Sequence, residues 1–174
     1  MRPSLHFKFC PRCGKPAPAR GADSPLVCEA CHFTFFFNPC VAAAGLALRA
    51  DRKALFIKRA KDPAKGKLAI PGGFIDIGET AEEALRREFK EEVNVELTDV
   101  RYLSAHPNDY HFRDVTYPVL DFFYTARIKD AENAEALDDV DEFLWRDPGD
   151  VDPAEIAFPS VRNALKTFLE APLK

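Results

Sequence analysis

Four of the five cysteines in this chain lie within its first 31 residues and form two C-x2-C pairs, Cys10/Cys13 and Cys28/Cys31. Each short turn presents two thiolates to one point, and zinc accepts four of them in a tetrahedron. Disulfides or redox thiols are the alternative interpretation of such pairs. Because roughly 40 residues with few apolar side chains need a metal to fold, we expect a zinc ribbon with these four cysteines as its ligands.

The net charge is divided unevenly between this segment and the rest of the chain. Residues 1–40 carry a net charge of +3 and residues 41–174 a net charge of −7, which together give −4 over 174 residues. Only the second part has long stretches of apolar periodicity. We therefore predict a ribbon module over residues 1–38 and a second domain over residues 39–174. The acidic balance argues against a nucleic-acid partner.

The sequence also bears on the cellular location. Its longest apolar run, Val41–Leu48, has eight residues, whereas a membrane-spanning helix needs about 18. The first residues lack the apolar core of a signal peptide. We therefore expect a cytoplasmic protein that has no membrane partner.

Two apolar strands precede a turn that is rich in glycine. Val41–Leu48 and Ala54–Ile57 flank a short polar segment, which predicts a β-hairpin. The Lys58-Arg59 pair follows the second strand and either holds an anionic substrate or belongs to a solvated loop. At Pro71-Gly72-Gly73, paired glycines let another group approach the backbone, or they simply form a turn.

A helix is predicted over Ala81–Val93. Thr80 and Glu83 have the spacing of a capping box, which marks the start of a helix. Apolar residues then recur at intervals of three and four. Asn94 suits the left-handed conformation in which many helices end.

The opposite side of this helix carries three glutamates. Glu88, Glu91 and Glu92 have the spacing i, i+3, i+4, so their carboxylates are neighbours near the helix end where the dipole also disfavours anions. Three converging carboxylates form a suitable site for Mg²⁺ or Mn²⁺. A solvated acidic face is the other interpretation that the pattern allows.

The later part of the chain predicts two more strands and a final helix. Glu96–Ser104 is predicted to be a strand with a turn at Thr98-Asp99, and Val115–Ile128 a strand packed on both faces. Tyr110 lies between them, and we expect it in a loop where its ring suits stacking on a base. Pro159 starts an amphipathic helix.

The glycine turn and the acidic helix together match a longer pattern. Residues 73–95 fit G-x5-E-x7-R-E-U-x-E-E-x-G-U, in which U is a bulky apolar residue. Asn94 stands at the last glycine of the pattern and tolerates the same backbone conformation. The pattern resembles the Nudix hydrolase signature, and the resemblance covers roughly residues 41–169. The matching residues are Gly73, Glu79, Arg87, Glu88, Phe89, Glu91, Glu92 and Val95.

The resemblance implies a fold and an activity. The fold would be α/β, with the Nudix α/β/α sandwich around a mixed sheet, preceded here by the small zinc ribbon. The activity would be metal-dependent cleavage of the pyrophosphate bond in a nucleoside diphosphate linked to another moiety. By motif position, Glu88, Glu91 and Glu92 would bind Mg²⁺ or Mn²⁺, and Glu91 or Glu92 would take the proton of the attacking water. Arg87 and Glu79 would pair with each other.

The same resemblance suggests how the substrate is held. The Lys58-Arg59 pair would bind phosphate, and the Gly72-Gly73 turn would contribute a carbonyl ligand. Independently of the resemblance, loops carry ligand contacts, so the ring of Phe74 or Tyr110 either stacks on a base or is an ordinary loop aromatic. Members of this family often use an acid from a later loop as the base, and the candidates here are Asp109, Asp114, Asp139 and Glu142.

A ribbon placed directly before the motif resembles the NADH pyrophosphatases and related ribbon-bearing Nudix proteins. Residues 104–110 lack the proline- and tryptophan-rich motif of the NADH enzymes, which favours ADP-ribose, FAD or another nucleotide sugar as substrate. The alternative function is a binding module whose ribbon contacts RNA or a protein partner without hydrolysis. A homodimer that forms through the ribbon is also left open.

Overall fold

The computed structural model describes residues 1–171, and contacts divide the chain into two compact units. The first comprises Met1–Cys40 together with Asp109–Val119. The second comprises Val41–Asn108 and the chain from Leu120 onward. Residues 172–174 of the predicted second domain lie outside the described residues. The predicted ribbon module over residues 1–38 does not include Asp109–Val119, which belongs to the first unit. The boundary between residues 38 and 39 stays a prediction.

The first unit has little regular secondary structure. Two short strands, β1 (Leu26–Val27) and β2 (Thr34–Phe35), pair in antiparallel fashion, so that Leu26 lies opposite Phe35. The small interior consists of Cys10, Leu26 and Cys28, with phenylalanine rings packed around it. Such an interior is too small to stabilise a fold alone, as the composition predicts.

A seven-stranded sheet has most of its residues in the second unit. Its strands are β3 (Cys40–Leu48), β4 (Ala54–Arg59), β5 (Leu68–Ala69), β6 (Gly72–Phe74), β7 (Leu97–Phe112), β8 (Val115–Ile128) and β9 (Val140–Arg146). Strands β5, β4, β3, β8 and β7 are neighbours in that order, while β6 pairs with β3 and β9 pairs with β4. Among the described residues, the two α-helices are α1 (Ala81–Val93) and α2 (Pro159–Glu170).

The helices cover opposite faces of the sheet. Successive residues of a strand point to opposite faces, and in β4 this divides the apolar side chains between two clusters. Leu55 and Ile57 pack with the apolar face of α1, whereas Ala54 and Phe56 pack with that of α2. The expected α/β/α sandwich is therefore confirmed.

The ends of α1 are determined by local hydrogen bonds. The Glu83 N–H donates to Thr80 Oγ1 at 3.3 Å, and the Thr80 N–H donates to the Glu83 carboxylate at 2.8 Å, which completes the capping box. At the other end, Asn94 has a φ of 53° and closes the helix in the left-handed conformation. Its side-chain amide donates to the Glu135 carboxylate at 3.1 Å. The helix has the bounds that the sequence predicts.

Helix α1 approaches β3 closely at Gly45. A Cβ atom at this position would lie 3.1 Å from the Leu85 side chain and 3.2 Å from the Phe89 ring. Both of these side chains are fully buried. The absence of a side chain at Gly45 therefore lets the helix pack directly against the centre of the strand.

The segment after α1 differs from the prediction in two respects. The expected turn at Thr98-Asp99 is wrong, because β7 continues through it with Asp99 at a φ of 49°. The expected loop around Tyr110 is also wrong, because β7 extends to Phe112 and pairs with β8. A neighbouring strand supplies hydrogen-bond partners for the backbone, and this outweighs local turn preferences.

Candidate functional site

The glutamates of the motif, Glu88, Glu91 and Glu92, lie in the C-terminal half of α1 and differ in their exposure. The Glu91 side chain is 54% exposed, whereas the Glu88 side chain is 15% exposed. Glu92 is partly buried, and its Oε2 atom accepts the N–H of Gly72 in β6 at 3.0 Å. The i, i+3, i+4 spacing therefore leaves one carboxylate at the surface and places two beside the glycine strand.

Burial dominates the electrostatics of two of these groups. It raises the pKa of Glu92 to about 8; the Gly72 N–H and the Arg59 charge lower that pKa, while the charges of Glu88 and Asp139 raise it further. Burial also raises the pKa of Glu88, against the hydrogen bond and charge of Arg87. A cation stabilises ionised carboxylates in such surroundings. Within residues 1–171, however, Glu88, Glu91 and Glu92 do not form a group of three ligand atoms within 4.8 Å of one another, so a metal ion bound by all three stays a prediction.

Arg87 connects α1 to the loop that precedes it. Its Nε and Nη2 atoms donate to the two carboxylate oxygens of Glu79 at 2.8 and 3.0 Å, which makes a bidentate pair. Its Nη1 atom donates to Glu88 at 2.7 Å and to Glu91 at 3.1 Å, and Nη2 also donates to the Phe74 carbonyl at 3.0 Å. Hydrogen bonds from Arg87 hold the pKa of Glu79 at about 2. One guanidinium thus orders residues 74–79 against the glutamates.

Gly72 and Gly73 lie where side chains would collide with their neighbours. A Cβ atom on Gly73 would lie 2.4 Å from Oε1 of Glu88, and one on Gly72 would lie 2.3 Å from the carbonyl oxygen of Ala43. Gly72 also has a φ of 149°, which residues with a side chain rarely adopt. Glycine at both positions therefore lets β6 pass directly beside the carboxylates.

The two cations at the end of β4 have different surroundings. The Arg59 guanidinium lies 5.0 Å from the centre of the Phe158 ring, and its charge acts on Glu92. Lys58 lies opposite Glu142 of β9, with 4.0 Å between its Nζ atom and the carboxylate. Of the two residues predicted to bind phosphate, Arg59 is therefore the one whose charge acts on Glu92. The sequence prediction does not include Phe158. The feature that could have indicated it is its position as an aromatic residue directly before the proline that starts α2.

The four acids considered as alternative bases are separated by the fold. Asp139 precedes β9, pairs with Lys61 and acts electrostatically on Glu92. Asp109 and Asp114 belong to the first unit, where Asp109 pairs with Arg2 at 2.7 Å. Proximity therefore favours Asp139, which sequence spacing alone does not single out.

The two aromatic residues expected to stack on a base both lie in strands. Phe74 ends β6, next to the loop that Arg87 holds, and its side chain is 43% exposed. Tyr110 lies in β7 and belongs to the first unit. Of these two aromatic residues, only Phe74 therefore belongs to the second unit, which also contains Glu88, Glu91 and Glu92.

The cysteines of the first unit form a compact cluster. The four sulfur atoms lie within 4.8 Å of one another, with 3.7 Å between Cys10 and Cys31 and 3.7 Å between Cys13 and Cys28. Four sulfurs bound at ~2.3 Å to one zinc ion would be about 3.8 Å apart, whereas a disulfide needs about 2.05 Å. Across residues 1–171, no other set of three or more histidine, cysteine, aspartate or glutamate residues has its ligand atoms within 4.8 Å of one another. The geometry of the cysteine cluster fits zinc.

The same turn is used at both cysteine pairs. The Gly14 N–H donates to the Cys10 carbonyl at 2.9 Å, and the His32 N–H donates to the Cys28 carbonyl at 2.8 Å. Gly14 and His32 both have left-handed φ angles, of 72° and 58°. This repeated geometry points the two pairs of sulfurs at a common centre.

We expect one zinc ion per molecule, which mass spectrometry of the purified chain would measure. Cys28→Ser should lose the ion and unfold the ribbon, because a structural zinc site contributes on the order of 10 kcal/mol of apparent binding energy. Cys40→Ser is the matched control, since Cys40 is exposed and outside the cluster. Full zinc content in Cys28→Ser would contradict a four-cysteine site.

Comparison with known proteins places this geometry in a family. The NUDIX domain model matches residues 39–168. The ADP-ribose pyrophosphatase of Methanocaldococcus jannaschii is 46% identical over 63 residues, which are 36% of this chain and 37% of that protein. The NAD-capped RNA hydrolase NudC of Klebsiella pneumoniae is 28% identical over 142 residues, which are 80% of this chain and 50% of that protein. The chain thus spans half or less of the length of these relatives.

Solved structures show the same fold. A NUDIX hydrolase from Nitrosomonas europaea superposes with a TM-score of 0.71 at 24% identity, covering 94% of this chain and 91% of that one. The NUDIX domain of Shewanella oneidensis NrtR, solved with ADP ribose, has a TM-score of 0.64 at 22% identity and covers 78% and 89% of the two chains. With a family model that matches most of its length, this chain belongs to the Nudix hydrolase family.

Proposed function

We propose that this chain hydrolyses the pyrophosphate bond of a nucleoside diphosphate linked to a second moiety, such as ADP-ribose, FAD or a nucleotide sugar. The observation that carries the proposal is the partly buried Glu92 carboxylate, which accepts the Gly72 N–H and is acted on by Glu88 and Arg59. The archaeal relative, 46% identical over its matched region, is named an ADP-ribose pyrophosphatase. That name supports the substrate class.

The reaction is proposed to need Mg²⁺ or Mn²⁺. Glu88, Glu91 and Glu92 would hold the cation, because their carboxylates are the hard oxygen ligands that these ions prefer. When bound, the cation would neutralise phosphate oxygens and lower the pKa of water. Arg87 would set the position of Glu88 and Glu91 through its Nη1 hydrogen bonds.

Other side chains would bind phosphate and move the proton. The planar fork of the Arg59 guanidinium suits phosphate oxygens, and the Phe158 ring limits its orientation. Glu91 or Glu92 would accept the proton of the attacking water. Asp139 is the further candidate for this role, because it acts electrostatically on Glu92.

A pyrophosphate linked to RNA is the second candidate substrate. The Klebsiella relative that matches 80% of this chain is named an NAD-capped RNA hydrolase. The ribbon segment has a net charge of +3, and its Phe9 and Phe36 side chains are 62% and 64% exposed. Cations with exposed aromatic rings suit a single-stranded nucleic acid. RNA binding by the ribbon without hydrolysis is the alternative function.

The oligomeric state and the compartment stay predictions. A homodimer through the ribbon would be recognised by light scattering before and after zinc removal. Along the described residues, no helix has the length and apolar character that crossing a bilayer requires.

The proposed function is tested by a panel of substrates. ADP-ribose, FAD, NADH, UDP-glucose and a short NAD-capped RNA are each incubated with Mg²⁺ or Mn²⁺, and the products are identified by chromatography. We expect release of a nucleoside monophosphate from at least one small dinucleotide or nucleotide sugar, and none after EDTA. Hydrolysis of no member of the panel, together with salt-dependent RNA binding, would favour the binding module instead.

A further inference from the structure

A cleft with a mostly apolar wall lies within the first unit. Its volume is about 490 Å³. One side comes from the ribbon and the other from the start of β8, and both belong to the first unit. Ligand sites in proteins commonly have volumes of about 300–1,000 Å³, so the cleft has room for a ligand. We call it the aromatic cleft, and its main wall residues are Phe7, Phe35, Phe36, Phe37, Tyr117 and Pro118.

Three phenylalanine rings form a continuous wall of the cleft. The Phe7 and Phe35 rings are stacked, with 5.7 Å between their centres and 21° between their planes. The Phe37 ring meets each of them edge to face, at 5.1 Å between centres in both pairs. Aromatic pairs of this geometry attract one another, so the wall is ordered before a ligand arrives.

The ribbon interior and Arg20 hold this wall in place. Phe7 and Phe37 pack against the interior that contains Cys10 and Cys28. The Arg20 Nη2 atom donates to the Phe7 carbonyl at 3.0 Å, and its guanidinium lies 5.5 Å from the centre of the Phe37 ring. An ordered wall reduces the entropy that a ligand must lose from the protein on binding.

Two rings of the cleft are open to solvent. The Phe36 side chain is 64% exposed and that of Phe35 is 38% exposed. Aromatic side chains gathered at an exposed apolar surface mark an interaction site. Phe9 is exposed to a similar extent, at 62%, but it does not line the cleft. Exposure alone therefore does not define the site, and the cleft separates Phe36 from Phe9.

The charge around the cleft favours a polyanion. Residues 1–40 contain five lysine and arginine residues against two aspartate and glutamate residues. Arg2 and His6 lie in the lining of the cleft, where Asp23 is the one acid. In the part of the chain that the structure describes, three of the five cations pair with no carboxylate, namely Lys8, Arg12 and Lys15. Cations beside accessible aromatic rings suit the phosphates and bases of a single strand.

We propose that the aromatic cleft binds an unpaired nucleotide of single-stranded RNA; this inference rests on the proposed function, in which RNA is the second candidate. The base stacks on the Phe36 ring, and the Arg2 guanidinium contacts a neighbouring phosphate. Stacking and charge do not distinguish base edges, so the site accepts all four bases. A proline-rich peptide is the other ligand that aromatic clefts bind, but it would make no use of the excess of cations.

The test measures RNA binding separately from hydrolysis. Fluorescence anisotropy follows the binding of the full chain to a labelled decauridylate with a 5′-hydroxyl end, which contains no pyrophosphate to cleave. We expect a Kd of roughly 1–100 µM that rises steeply with salt concentration. No binding, or binding that salt does not weaken, would overturn the inference.

Two phenylalanine variants assign the binding to the cleft. Phe36→Ala should weaken RNA binding by roughly 5- to 100-fold, because one base loses its stacking partner. Phe9→Ala is the matched control, since it removes an equally exposed ring of the ribbon that lies outside the cleft, and it should change the Kd by less than about twofold. Equal losses in the two variants, or no loss in Phe36→Ala, would overturn the inference. Zinc content and circular dichroism establish that each variant is folded.

Nuclear magnetic resonance gives a direct map of the same site. Addition of the decauridylate to the ¹⁵N-labelled chain should shift the amide signals of residues 35–38. Shifts confined to residues 41–108 would contradict the inference. A decaproline peptide is titrated in parallel, and shifts of residues 35–38 with the peptide but not with RNA would identify a protein partner instead.

The inference and the proposed hydrolysis fail in different ways. RNA binding that depends on Phe36, without hydrolysis of any member of the substrate panel, would leave the aromatic cleft assigned and remove the hydrolytic function. Hydrolysis of small nucleotides by a chain that does not bind the decauridylate would do the reverse.

Discussion

Replacing Glu92 by Gln is expected to slow nucleotide hydrolysis by about 10²- to 10⁴-fold, the usual contribution of a positioned acid–base group. The amide has the shape of the carboxyl group, and its oxygen can still accept the Gly72 N–H that Glu92 accepts at 3.0 Å. It can neither ionise nor hold a proton from water. The loss should therefore appear in kcat, while the unfolding midpoint stays near that of the unmodified protein.

Glu82→Gln is the matched control for this change. Glu82 lies on the same helix but is exposed at its other end, so the substitution removes one charge without touching the site. Both variants are assayed with the substrate that the panel identifies, at saturating Mg²⁺. A double variant, Glu91→Gln with Glu92→Gln, that keeps full activity would refute a role for these carboxylates in the reaction.

Truncating Phe89 to Ala is expected to lower the free energy of unfolding by about 3–5 kcal/mol, as is usual when a buried aromatic ring leaves a cavity. Phe89 is completely buried within the α1 layer and lies against Gly45, which has no side chain to fill the space. Urea unfolding monitored by circular dichroism measures the change. The loss would be a large part of the stability of an ordinary domain.

Ile77→Ala provides the comparison for this second prediction. Ile77 is also a large apolar residue, but its side chain is fully exposed in the loop before α1. Its truncation should change the free energy of unfolding by less than about 0.5 kcal/mol, as at other surface positions. Equal effects of the two substitutions would mean that the packing between α1 and β3 contributes little to stability.

Helix α1 was predictable because its determinants are local. The capping box, the apolar spacing and the left-handed residue at its end all lie between Thr80 and Asn94, and each contact joins residues a few positions apart. The hydrogen bonds between Arg87 and Glu79 join residues eight apart in the same motif. Sequence patterns describe interactions of this range well.

The long hairpin and the buried contact between Asp121 and Ser160 depend on distant partners. Nothing within β7 itself shows that β8 will pair with it, so the residues around Tyr110 resemble a loop in sequence. Asp121 is an acid inside an apolar run, which is a signal of a buried polar contact, but Ser160 lies 39 residues away. A single sequence contains no information that would connect such a pair.

Asn94 occupies the motif position where glycine is usual, and its side chain adds a hydrogen bond between the end of α1 and Glu135. A glycine would close α1 equally well, yet it has no amide to reach Glu135, as Asn94 does at 3.1 Å. The same stretch donates two backbone hydrogen bonds to the helix, from the Glu135 N–H to the Val93 carbonyl at 3.2 Å and from the Leu137 N–H to the Glu92 carbonyl at 2.9 Å. Several hydrogen bonds thus attach the segment that leads to Asp139 to the helix of the glutamates. The end of the helix therefore restrains the distance between Glu92, an acid of the motif, and Asp139, an acid outside the motif.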